Sequence, residues 1–125
     1  MGVDALEISQ GLRGSGYEET EFKTKINKLD REGYYRCWCA EIKKEENVPV
    51  MLVGGLRTFD LMEEIIQNKE ADFISLSRPL IRNPSLINDW KSGDRHRTEC
   101  KSVNKCLEGL KNGEKLDCVQ LKDFL

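Results

Sequence analysis

The sequence predicts an α/β protein built on a parallel sheet, and three observations predict it. Strand candidates over 3–9, 50–53 and 71–76 alternate with segments of helical period. The middle run is apolar at every position, the mark of a parallel strand covered on both faces. Two runs stop abruptly, at Gly54-Gly55 and at Ser77-Arg78-Pro79, at the end of the strands where parallel sheets hold ligands.

In the first strand, Leu6 and Ile8 share one face, and Val3, Ala5, Glu7 and Ser9 share the other. A carboxylate on a strand needs a rim or a cation, so Glu7 is expected at one or beside the other. The glycine-bearing loop over 10–24 is longer than the usual βα connection. Over 32–47 the period turns helical: Tyr35, Trp38, Cys39 and Ile42 predict one stripe packed on the sheet. Cys37 and Cys39 lie about 200° apart around such a helix, so they do not share a metal and are expected as core or interfacial thiols.

Pro49 opens the second strand, a tolerated place for a strand proline. Thr58 is expected to N-cap a helix with Phe59, Leu61, Met62, Ile65 and Ile66 inward, ending near Asn68. After the third strand, Asn83-Pro84 reads as N-cap and first-turn proline of a short helix. Its Leu86, Ile87 and Trp90 should face inward, and Lys91-Ser92-Gly93 should stop it. Beyond it come a polar, basic run, the cysteines Cys100, Cys106 and Cys118, and an Asn112-Gly113 turn. The reading is two regions: βα units over 1–93 and a cysteine-bearing extension over 94–125.

Composition narrows the function. Net charge is −2, with acids and bases interspersed, so neither nucleic acid nor an anionic membrane surface is an expected partner. No apolar run approaches the roughly 18 residues of a membrane span, and no signal-peptide pattern opens the chain, so a soluble, cytoplasmic protein is expected. Five cysteines, an odd count, argue against a disulfide framework. His96 is the single histidine, which excludes a three-histidine metal site. No serine stands in a nucleophile-elbow context, so a Ser-His-Asp hydrolase is not supported either.

The strand ends carry the chemistry. Glycines let a backbone approach an oxyanion closely, and a guanidinium adds a charged, bidentate clamp. Two layouts accommodate such a phosphate site, an open doubly wound sheet and a piece of a closed (β/α)8 barrel. The run G-G-L-R-T-F does not fit the dinucleotide fingerprint. Gly54-Gly55, Ser77-Arg78 and the Asn83-Pro84 helix start match, in order, the parts of a barrel phosphate site.

Residues 2–9, 48–58 and 71–81 (GVDALEIS, VPVMLVGGLRT and ADFISLSRPLI) resemble the old yellow enzyme group of NADH:flavin oxidoreductases. The resemblance implies a partial (β/α)8 TIM barrel, the last three of eight strands, that binds flavin mononucleotide (FMN). It implies that Gly54, Gly55 and Ser77 hold the flavin phosphate by backbone, and Arg78 by backbone and side chain. Arg57, just past the turn, either assists or is a surface residue at a helix start. Groups that bind substrate and donate protons come from strands this chain lacks, so no catalytic residue is assigned and the chain alone is expected to be inactive. Expected partners are the missing N-terminal barrel half or further copies, because a cut sheet has bare edges. The alternative function is a non-catalytic fragment that serves only association. Several relatives bind an iron–sulfur cluster through four cysteines after the barrel. Here Val103 occupies the second position and cannot ligate iron, so neither cluster nor other metal is expected.

Overall fold

The computed structural model describes residues 2–9 and 23–122, and of Lys122 only the backbone. Most of the long loop expected over 10–24 therefore lies outside the described residues. Three parallel strands form one sheet in the order β1 (Leu6–Ile8), β2 (Val50–Leu52), β3 (Phe73–Ile74). Helix α1 (Arg36–Glu45) connects the first two strands and α2 (Phe59–Gln67) the next two. Four short helices follow: α3 (Arg78–Arg82), α4 (Leu86–Lys91), α5 (Lys105–Lys111) and α6 (Val119–Lys122). The chain is thus the α/β arrangement the alternating pattern predicts.

Register divides the sheet into two unlike faces. Ile8, Leu52 and Ile74 stand side by side in one row, on the face toward the helices. Val50 and Leu52 are fully buried there with Tyr35 and Cys39, Met62 and Ile65 of α2, and Leu86 and Trp90 of α4. The other row is Glu7, Met51 and Phe73, and Phe73 is 57% exposed. Among the described residues the sheet is therefore covered on one face, whereas the all-apolar run of β2 implies cover on both.

Several inward expectations fail for one reason: each helix touches the core along a narrow strip. Cys39 is small enough to bring α1 close to β2 and is fully buried. Trp38, expected beside it, stacks outside on Tyr35 at 6.1 Å between ring centroids and is largely exposed. Ile66 and Ile87 are likewise exposed, lining an open apolar groove between α2 and α4. Trp90 is inward as expected, edge-on to Phe59 at 5.3 Å, with its indole N–H donating to the His96 carbonyl.

Helix boundaries also move. The run from residue 32 is preceded by the 3-10 turn Leu29–Arg31, and α1 begins only at Arg36. Asn83-Pro84 does not start α4; Ser85 precedes it, its N–H bonded to the Asn83 side chain. Ser77-Arg78-Pro79, where the third run stops, is the start of α3, with the proline in its first turn where no N–H is required.

Candidate functional site

The C-terminal ends of β2 and β3 open on one cavity of about 260 Å³. Gly54 and Gly55 from the turn after β2, and Ser77 and Arg78 from the start of α3, all line it. Glu7, Ser9, Tyr34, Tyr35, Ser75 and Leu107 complete much of the wall. The four residues singled out in the sequence therefore meet in space. Arg57 lines the cavity too, but with a different task.

The glycine turn is required by geometry. Gly54 and Gly55 have φ of 128° and 71°, which L side chains rarely adopt. A Cβ on Gly55 would meet the Tyr34 ring at 2.7 Å. Tyr34 thus packs flush against the turn, edge-on to Tyr35 at 4.6 Å, with the Lys23 ammonium 5.5 Å from its ring centre. Nothing in the sequence pattern pairs Tyr34 with a turn twenty residues away.

Glu32 organises the next stretch, and it too escaped the sequence reading. Its buried carboxylate accepts the backbone N–H of Arg57 at 2.7 Å and of Thr58 at 2.8 Å. It also accepts the Thr58 hydroxyl at 2.9 Å and the Arg97 guanidinium at 2.9 Å. Thr58 does stand at the N-cap of α2, yet its side chain makes no cap bond; its hydroxyl goes to Glu32 instead. An internal anion thus already stands beside the positive end of α2, while the glycine turn and the start of α3 line the cavity.

Arg57 is not the surface residue at a helix start that one of its two readings made it. It is only 2% exposed, and its guanidinium is spent on the chain itself. It donates to the Cys100 carbonyl at 2.9 Å, the Leu56 carbonyl at 2.6 Å and the Ser102 hydroxyl at 2.7 Å. Burial is the main cause that lowers its pKa, partly offset by Cys100, while Arg78 lowers it further by repulsion. Two cations of one sign therefore feel each other beside the cavity, a field that favours an anion.

Arg78 is half-buried and held from the same side. Its Nη1 donates to the Lys23 carbonyl at 3.1 Å and to the Asn104 side-chain oxygen. Arg82, one turn on, pairs with Glu99 at 2.6 Å. Residues 98–106 thus touch all three arginines that follow the strands. Cys100, Cys106 and Cys118 line a small cleft of about 10 Å³ with Arg78 and Val103. Among the described residues no group of three or more His, Cys, Asp or Glu side chains is placed to hold a metal ion.

No family model and no solved structure matches the chain. Among curated proteins it is similar to a bilirubin reductase of Clostridium symbiosum, 32% identical over 90 residues. Those residues make up 70% of this chain and 24% of the reductase. It is also 32% identical over 110 residues to an NADH oxidase of Thermoanaerobacter brockii, covering 86% of this chain and 16% of the oxidase. A third similarity is to the imidazole glycerol phosphate synthase subunit HisF of Blochmanniella floridana, 30% over 121 residues. That match spans 97% of this chain and 45% of the synthase subunit. The chain thus spans about a quarter or less of the length of the two oxidoreductases it matches. In sequence it is related to the old yellow enzyme-like NADH:flavin oxidoreductases, matching a part of such proteins.

Proposed function

We propose that this chain is the phosphate-holding corner of an FMN-dependent oxidoreductase, with Gly54, Gly55, Ser77 and Arg78 as the flavin-phosphate residues. The observation that carries the reading is that all four line one cavity at the C-terminal ends of β2 and β3. The donor set suits a phosphate: glycine backbone free to approach closely, the start of α3, and a guanidinium. The cavity volume falls just below the roughly 300–1,000 Å³ of whole small-molecule sites, which fits one end of a cofactor better than all of it. Glu7 disfavours an anion near β1 and so directs the phosphate toward Arg78. When bound, the flavin supplies hydride transfer between a nicotinamide and an electron-poor acceptor; the residues here bind and orient it. Similarity to a synthase subunit named for a phosphate ester is in keeping with this chemistry.

The same reading makes the three βα units part of a (β/α)8 barrel, with the Glu7–Met51–Phe73 row facing its interior. Catalysis then needs groups outside this chain, supplied by further barrel strands. Titrating the 125-residue chain with FMN tests the binding step. Quenched flavin emission and retained yellow colour after dialysis are expected; Arg78→Ala should lose the colour on dialysis and weaken the affinity read by quenching about a hundredfold. Unchanged emission with no retention overturns the reading for this chain.

The exposed Phe73 favours a second reading, in which the open sheet face and edges serve association alone. Concentration-dependent assembly unaffected by Arg78→Ala, without flavin uptake, would support it instead.

A further inference from the structure

We infer that Asn104 is a positioning residue for Arg78, turning one edge of its guanidinium toward the cavity by holding the other. This rests on the phosphate reading above. Arg78 bridges two cavities: the one at the strand ends, and the cleft lined by Ser102, Asn104 and the three C-terminal cysteines. Its Nη1 is engaged by the side-chain oxygen of Asn104, which lines the cleft, and by the Lys23 carbonyl. Among the described residues neither its Nε–H nor its Nη2 donates a hydrogen bond to a protein group. Those two groups form the side-on fork that matches two oxygens of a phosphate or carboxylate. A long, flexible side chain tied at one nitrogen loses less freedom when the opposite edge meets a ligand, so the tether strengthens binding by pre-organisation.

Two features of Asn104 point to this role over a local one. It stands at the N-cap of α5, where an asparagine ordinarily bonds the first helical amides, yet its side chain makes no cap bond. It also adopts φ 62°, a left-handed conformation that asparagine tolerates better than most residues. The chain thus forgoes a cap and accepts a strained backbone at the residue that reaches Arg78, 26 positions away.

Asn104→Gly removes the side chain while accepting the positive φ, so the fold is retained. FMN affinity, measured by flavin fluorescence, is expected to fall about tenfold, the size of an ordinary contact coupling. In an Arg78→Ala background the same change should have no further effect on FMN affinity. Equal affinity in Asn104→Gly and the unaltered chain overturns the inference alone. So does a loss in Asn104→Gly that recurs in full on the Arg78→Ala background, which would mark a merely structural role. Failure of the unaltered chain to bind FMN overturns the phosphate reading, and this inference with it.

Discussion

Glu32 and Arg97 lie 65 positions apart and meet at 2.9 Å, closing a carboxylate over the two amides just before α2. The Glu32 side chain is fully buried and Arg97 is about one-third exposed. The two partners are therefore unequal. Glu32→Ala strips the Arg57 and Thr58 amides of their acceptor and is expected to cost about 2–4 kcal/mol. Arg97→Ala leaves those bonds in place and should cost about 1 kcal/mol or less. Denaturant unfolding of both variants checks the order; a costlier Arg97→Ala would mean that charge pairing, not the amide bonds, dominates.

The Gly54-Gly55 turn makes a second prediction. Gly55→Ala meets both an unfavourable φ and the Tyr34 ring at 2.7 Å, and should destabilise by about 1–3 kcal/mol. Adding Tyr34→Ala should remove the clash but not the backbone strain. The double variant is thus expected to lose less than the two single losses combined, in thermal or denaturant unfolding.

Acid sensitivity follows from two carboxylates. A hydrogen bond from Arg36 holds Glu70 below its ordinary value of 4.5, and Lys43 with the Val50 amide holds Asp72 below 3.8. A carboxylate depressed in the folded state stabilises the fold above its unfolded pKa, and that stability is lost as pH falls through the folded value. Stability should be flat from neutral pH down to about the ordinary carboxylate range and then decline. Arg36→Ala should remove the Glu70 part of that decline, as read by unfolding midpoints across pH.

Thiol reactivity provides a fourth check. Cys37 is exposed on α1, whereas Cys39, Cys100 and Cys118 are buried. Burial is the main cause that raises the Cys39 pKa, disfavouring the reactive thiolate. Native-state alkylation followed by peptide mapping should mark Cys37 first. Cys39 should react only at the rate of unfolding.

Much of the scaffold was legible because it depends on near neighbours. The apolar runs of β2 and β3, the helical stripe through Met62 and Ile65, and the Gly54-Gly55 stop all arise from residues within a few positions of one another. Boundaries were less legible: the stop at Ser77-Arg78-Pro79 is the start of α3, and α4 starts past Asn83-Pro84. Trp38 shows the limit of periodicity, which says that a residue lies on a stripe but not how wide the contact is.

By itself, the sequence determined an α/β chain with parallel strands, and a glycine turn and an arginine carried past two successive strand ends. Tertiary structure alone decided what those groups do. It buried Arg57 against Cys100 and Ser102, tied Arg78 to Asn104, and set Glu32 on the Arg57 and Thr58 amides just before α2. The physical reason is separation. These partners lie 25 to 45 positions apart, where no local propensity acts and only the packed chain brings donor to acceptor.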